Sequence, residues 1–393
     1  MAFCFGSSLS TPNGPLSTSQ LLSFNNRDTL HFAKVKMKFF TGLTLLASLV
    51  SASPIELAQR DTATPLQANI TKNGNTAVKI ALKNIGKTDL KLFTPGTVLD
   101  TAAVEKVAVF NGDDRLPFDG VRLRMAPQNL LTDASFRTIK AGETIESAVD
   151  FAELHDLGAA DAFKVRVNGG IPYAEAGSTT IAGVFNIDSN TLNINNVNVT
   201  KAALVRTSYK QMIKRTIVQS DCKGTQNTTV TNALANCSRL ARAAADYVSK
   251  DDKRLNEYFK STTAASKKIV VDTFNKVASE CGSRNKGVSK QYCSDVYKSC
   301  SPGVLAYTVP AYKYMVNCPL YFTALPLLTT GCHNQDQSTT TLHEMTHLLE
   351  VKGTLDYGIY GYTALKTLTS AQNLNHADTY AVYANAVNQG KTC

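Results

Sequence analysis

The chain has 393 residues, room for two or three domains that each bury a core, and its 41 Lys and Arg against 31 Asp and Glu leave a formal net charge of +10. The basic residues are scattered without a run of five, so a nucleic-acid partner is not expected. Of nine cysteines, Cys4 stands alone, and the other eight (Cys222, Cys237, Cys281, Cys293, Cys300, Cys318, Cys332, Cys393) all follow residue 220, which indicates a disulfide-stapled domain in an oxidising compartment.

Residues 1–36 are polar, rich in Ser, Thr and Asn, and match no targeting segment; a start site misplaced upstream of Met37 accounts for them and makes Cys4 irrelevant. From Met37 the chain reads "MKFFTGLTLLASLVSASP", a lysine, an apolar run and a small-x-small site at Val50 to Ala52, the layout of a secretory signal over 37–52. The apolar run is too short for a membrane span, so no membrane association is expected once the signal is removed.

Residues 53–215 contain no cysteine and carry strand patterning. "NTAVKIALKNIG" (75–86) alternates apolar and polar residues, and "TDLKLFTPGT", "AFKVRVNGGIP" and "TLNINNVNVT" follow with Gly, Pro and Asn between them. The expectation is a β-sandwich of about 150 residues. The region ends at Lys214–Arg215, a dibasic pair at the point where composition and cysteine content change, as expected where a pro-segment is cut from residues 216–393.

After the junction, "TVTNALANCSRLARAAADYVSK" sets Val230, Leu234, Cys237, Leu240 and Ala244 near one helical face, and "AASKKIVVDTFNKVASEC" repeats the period. A Gly/Ser/Cys-rich loop (281–303) leads to "VLAYTVPAYKYMVNCPLYFTAL", which reads as a strand pair. Next comes "TTTLHEMTHLLE" (339–350), then a Gly/Tyr loop, then a last helical stretch, "ADTYAVYANAVNQ".

His343 and His347, four apart on a helix, can point imidazole nitrogens at one zinc ion, while Glu344 stands about 100° round from His343 and can reach an attacking water. The same letters also fit an ordinary core helix carrying Leu342, Met345, Leu348 and Leu349. A catalytic zinc site needs a third protein ligand. The third-histidine pattern fails because Glu350 and Gly353 stand at its glycine and histidine positions, and no glutamate follows Glu350. Asp356 is the leading candidate, since Gly353 can end the helix and fold "GTLDYGIYGY" back; Asp378 is the rival, though an Asp there also suits a helix first turn. His376 reads as a supporting or surface residue.

"HEMTH", then "GTLDYGIYGY" and "LNHADTY", resemble the deuterolysin family of secreted fungal metalloendopeptidases, the aspzincins, whose third zinc ligand is the aspartate of a GTxD segment. The resemblance spans residues 37–393. It implies one zinc per mature chain held by His343, His347 and Asp356, Glu344 as general base and acid, and a loop tyrosine donating to the oxyanion. Three residues separate Asp356 from Tyr360 where the family has two, so Tyr360, followed by Gly361, is preferred and Tyr357 stays open. Family spacing implies the pairs Cys222–Cys293, Cys300–Cys318 and Cys332–Cys393, leaving Cys237 and Cys281 for a fourth bridge.

The fold class so expected is a mature domain that is mainly α with a small β-sheet, zincin-like and disulfide-stapled, preceded by an all-β pro-domain. Expected partners are protein or peptide substrates and the chain's own propeptide, with a monomer after processing. The pro-region has no cysteine to cap zinc, so any latency is steric or bound up with folding. Residues 216–393 carry 18 Lys and Arg against 13 Asp and Glu, no acidic surplus to attract the basic proteins that the resemblance implies as substrates. Ala381 stands where a lysine-specific branch has a further acid, which argues against strict lysine specificity. Asn69, Asn198, Asn227 and Asn236 are N-x-S/T sites, and at Asn236 bridge formation by Cys237 competes with glycosylation. Two alternatives are a secreted, disulfide-stapled binding or effector protein with a non-catalytic zinc, and a peptidase ligated by Asp378.

Overall fold

The alternation in "AVKIALKN" turns Val78, Ile80 and Leu82 onto one buried face, and neighbouring segments repeat it. The computed structural model describes residues 64–211, 218–283, 287–390 and 393, so the extension 1–36, the signal 37–52 and the Lys214–Arg215 junction lie outside it. In chain order the first half contains β1 (Leu66–Lys72), β2 (Ala77–Asn84), β3 (Leu90–Phe93), β4 (Ala108–Asn111), β5 (Asp114–Arg115), β6 (Arg122–Met125), β7 (Phe136–Ile139), β8 (Thr144–Asp150), α1 (Phe151–Leu154), β9 (Phe163–Arg166), β10 (Asn168–Ala174), β11 (Ile181–Asp188), β12 (Leu192–Ile194) and α2 (Val199–Gln211). Three antiparallel sheets, β1-β2-β8, β11-β10-β3-β7 and β12-β9-β4-β5, surround a core that includes Ile70, Ile80, Val109, Phe151 and Val165.

The second half contains α3 (Gly224–Tyr247), α4 (Asp252–Phe259), α5 (Ala264–Gly282), β13 (Lys290–Tyr292), β14 (Val304–Val309), β15 (Tyr314–Asn317), α6 (Pro319–Ala324), α7 (Gln337–His347), α8 (Tyr362–Leu365), α9 (Ser370–Asn373) and α10 (Ala377–Gln389). Along α3 the helical period buries Val230, Cys237, Leu240 and Ala244, and the helix lies against α5. Disulfides join Cys222–Cys293, Cys237–Cys281, Cys300–Cys318 and Cys332–Cys393, the second of these tying α3 to α5. Helix α7 starts at Asp336, whose carboxylate accepts the Thr339 N–H at 2.6 Å, and it is buried over its whole length against α3, α10 and β14. It stops at His347, where Leu348 leaves the helical backbone at ψ 133°, earlier than the glycine expected to end it; Gly353, at φ +69°, instead closes the turn that follows, donating its N–H to the Leu348 carbonyl at 3.0 Å in a left-handed conformation that glycine adopts without strain.

Two parts of the expected fold class are corrected here. Of the described residues 36% are helical and 25% are strand, in four sheets, so the chain is not mainly helical. The first half is not an all-β pro-domain either, because Phe151–Leu154 and Val199–Gln211 are helices. The boundary between the halves is also crossed by the fourth sheet, β13-β15-β14-β6, whose last strand comes from the first half. Strand β6 runs antiparallel to β14, with Met125 opposite Val304, Arg124 opposite Ala306, Leu123 opposite Tyr307 and Arg122 opposite Thr308. A shared core seals the join: Phe93, Val121, Leu123, Met125 and Leu131 pack with Val304, Tyr307, Val316 and Tyr321. Local periodicity reports which segments are strands but carries no information about a partner so distant in the chain, which is why this sheet was not anticipated.

Candidate metal centre

Helix α7 places His343 and His347 one turn apart, and their Nε2 atoms lie 3.2 Å from each other. Beyond the Gly353 turn the chain doubles back and brings Asp356 Oδ1 to 3.1 Å from His343 Nε2 and 3.3 Å from His347 Nε2. These three atoms form a nearly equilateral triangle. Tetrahedral zinc with ligand bonds near 2.0–2.1 Å sets its ligand atoms roughly 3.4 Å apart, so the triangle fits one face of such a site. All three side chains are buried, and Asp356 Oδ1 has no hydrogen-bond donor, an expensive state for a buried carboxylate that a cation would relieve. The donor set therefore suits zinc and leaves a fourth position open. Cys332, His333 and Cys393 also cluster, but the two sulfurs are bonded to each other and offer no thiolate.

Neighbouring groups hold each of these side chains. His347 Nδ1 lies 2.9 Å from the Thr354 carbonyl, to which its N–H donates, which leaves the Nε2 lone pair facing Asp356. Thr346 and Thr354 hydroxyls meet at 2.7 Å and tie the returning chain to α7. His376 is buried rather than on the surface, with Nε2 3.1 Å from the Asp356 carbonyl and 2.8 Å from that of Ile359, so one N–H fastens both ends of the loop that carries Asp356. Asp378 is not with the triangle. It stands 3.7 Å from Nδ1 of His343, on the opposite edge of the ring, where it pairs with Arg124 and accepts the Gly361 N–H.

Glu344 is also buried. Its Oε2 accepts the Thr308 hydroxyl at 2.6 Å, and its Oε1 has no partner. Burial pushes its carboxyl above the usual range, partly offset by His343, His347 and Thr308. Burial acts the same way on Asp356, but His347 and His343 outweigh it and hold the group well below the carboxylate range. His343 is pushed down by burial and by Arg124, yet the Asp356 and Asp378 carboxylates carry it above its ordinary value. The ring of Tyr360 faces that of His343 at 6.4 Å between centroids, and burial holds its phenol well above the ordinary tyrosine value. Tyr357, at φ +53°, packs beside His376 instead and takes the Asn375 amide on its hydroxyl at 3.4 Å.

The family model for the deuterolysin metalloproteases (M35) matches residues 37–391. The chain belongs to the deuterolysin metalloprotease family. It is 48% identical to a neutral protease 2 homolog of Colletotrichum graminicola over 90% of this chain and 100% of that one, and 47% identical to one of Phaeosphaeria nodorum over 89% and 99%. A solved zinc peptidase from Grifola frondosa aligns with 42% of this chain and 96% of that one at 19% identity and a TM-score of 0.36, a likeness too distant to carry weight. As a family member the chain is a zinc metalloendopeptidase that acts on protein or peptide substrates. No helix among the described residues is long and apolar enough to cross a membrane.

Arg124 and Thr308 belong to the site although neither stands out in the sequence. Thr308 lies in a segment legible as a strand, but nothing local to it points at Glu344. Arg124 touches His343 from 219 residues away, and no periodicity or motif signals it.

Proposed function

We propose that this chain is made as a secreted precursor, enters the secretory path through residues 37–52, loses residues 53–215 by a cut at Lys214–Arg215, and then hydrolyses internal peptide bonds as a monomer. One zinc ion per mature chain is held by His343, His347 and Asp356. The relatives named above, the four disulfides and the dibasic junction support secretion and processing. The observation that carries the chemistry is the buried triangle of His343 Nε2, His347 Nε2 and Asp356 Oδ1 with the unpartnered Glu344 Oε1 beside it on the same helix.

Zinc bound there supplies Lewis acidity toward the scissile carbonyl and the attacking water. Glu344, with Oε2 fixed by Thr308 and Oε1 free, takes the proton of that water and hands it to the leaving amine. Tyr360, whose protonated phenol sits on the His343 side of the loop, donates to the developing oxyanion. Ala381, buried and apolar one turn after Asp378, adds no second acid, so strict lysine specificity is not expected.

The test is Glu344→Gln in the processed chain. Zinc content stays at one per chain while casein hydrolysis falls by roughly 10²–10⁴-fold, the range for loss of a general base. Undiminished hydrolysis would refute the assignment. N-terminal sequencing of the secreted protein locates the cut.

A further inference from the structure

Three carriers of the catalytic centre converge on one four-residue strand of the first half. Arg124 of β6 is 1% exposed; its Nη1 lies 3.0 Å from His343 Nδ1 and pairs with the Asp378 carboxylate at the start of α10. Tyr360 of the Gly/Tyr loop donates its hydroxyl to the Leu123 carbonyl at 3.0 Å. Gln335, just before α7, donates its amide to the Met125 carbonyl at 3.3 Å. The backbone of β6 meanwhile pairs with β14, the strand whose Thr308 holds Glu344.

A guanidinium buried this deeply needs a specific anion, and Asp378 is not part of the first half. The contact is therefore not required by the first half's own fold. The edge of β14 that β6 covers is also the edge on which an extended peptide would find main-chain partners beside Glu344. While Tyr360 donates to Leu123, its hydroxyl is not available to the carbonyl of another peptide.

We infer that Arg122–Met125 is a built-in inhibitor strand: it occupies the β14 edge that an extended substrate must use, and Arg124 locks it there through Asp378. This rests on the reading of His343, Glu344, His347 and Asp356 as a peptidase centre. The cut at 214–215 then works indirectly. It severs the covalent link that keeps β6 at high local concentration, and departure of the strand uncovers β14, frees the Tyr360 hydroxyl and leaves Asp378 beside the Nδ1 edge of His343.

The experiment uses zinc-loaded secreted precursor carrying Lys214→Gln and Arg215→Gln, which stays joined, alone and combined with Arg124→Ala or Arg124→Lys. Casein hydrolysis by the joined parent is expected to be far below that of the cut chain. Arg124→Ala raises it by roughly 100-fold without any cut, the size expected when one partner of a buried ion pair is removed. Arg124→Lys, which keeps the charge, stays nearer the parent. A junction-competent precursor with Arg124→Ala yields the same mature molecule as the wild type, so its activity after cutting reports whether the variant folded. If it did not, hydrogen exchange of the 304–309 amides that face β6 rather than β15 needs no substitution at Arg124: for these the inference requires slow exchange in the joined chain and fast exchange once cut.

A joined Arg124→Ala chain that folds and stays as latent as its parent overturns the inference. So does a joined parent as active as the cut chain, or equal protection of the 304–309 amides that face β6 before and after cutting. An inactive cut chain that still holds zinc overturns the peptidase reading itself, a result separate from the other three.

Discussion

The Thr308 hydroxyl donates a 2.6 Å hydrogen bond to Glu344 Oε2, so the strand at the edge of the site sets the direction of the carboxylate on the helix behind it. Oε2 is engaged and Oε1 is unpartnered, so on the proposed reading one oxygen orients the carboxylate and the other is left for proton transfer. Thr308→Val removes the donor at nearly constant volume. We expect kcat to fall roughly 10- to 100-fold from the misplaced base, with KM and zinc content little changed. Thr308→Ser restores most of the rate. A KM effect without a kcat effect would assign Thr308 to substrate binding instead.

Asp356 and Asp378 are both buried acids near His343, but only Asp356 reaches the Nε2 side. Asp356→Ala is expected to abolish stoichiometric zinc binding. Asp378→Ala leaves zinc bound, weakened by at most roughly 100-fold as for loss of a group that orients a ligand. Metal analysis after gel filtration distinguishes the two, and full zinc content without Asp356 would reverse the assignment.

Removing the metal should be reversible. A chelator is expected to abolish casein hydrolysis by the processed chain, and one equivalent of zinc to restore it, because the three ligand side chains are buried on elements held by Asp336, Thr354 and His376 rather than on a loose loop. Recovery that needed refolding would show that the metal also shapes the scaffold.

The Cys237–Cys281 bridge spans 44 residues of chain and joins α3 to α5 in the core. Replacing both cysteines by alanine is expected to cost about 2–4 kcal/mol of stability, mainly by freeing the unfolded chain. Urea or thermal unfolding of the processed domain measures it. Peptide hydrolysis at 25 °C should persist, since neither cysteine touches the zinc triangle.

His155 sits buried in the first half with Nδ1 2.9 Å from the Pro117 carbonyl, two residues before Asp119 and close in sequence to β6. Burial is the largest influence on it and lowers its pKa below 6.5, in spite of Glu105. Its folded-state pKa lies below its unfolded value, so as pH falls through 6.5 the unfolded chain binds the proton first and stability is lost, down to the folded-state pKa. Urea midpoints of the joined precursor should therefore drop between pH 7.5 and pH 5, about one unit or more either side of that value, and His155→Gln should flatten the drop. An unchanged slope in the variant would place the pH sensitivity elsewhere.

Much of the centre is legible in the sequence because its geometry is local. A spacing of four from His343 to His347 on a helix puts both rings on one face wherever the helix lies, whereas Gly353, which the sequence offers as the stop, serves the turn after it. The absence of glutamate after Glu350 narrows the third ligand by composition alone. Strand and helix periods likewise mark residues 75–86, 229–250 and 264–281, and β2, α3 and α5 lie there at Ala77–Asn84, Gly224–Tyr247 and Ala264–Gly282.

The tertiary structure decided what depends on contacts between distant segments. The sequence favours Asp356 over Asp378 as third ligand but leaves both open, and the fold puts one at Nε2 and the other at Nδ1 of His343. Tyr360 rather than Tyr357 faces the histidine because Tyr357 takes a left-handed backbone that turns it toward His376. The expectation of an all-β pro-domain ahead of a mainly helical enzyme does not survive, since strand β6 completes the enzyme's sheet and the first half has helices of its own. Helical spacing is set by the backbone's own period, so sequence determines it. Pairing Arg122–Met125 with Val304–Val309 is set by long-range packing and by a buried charge seeking its partner, and no local pattern carries that information.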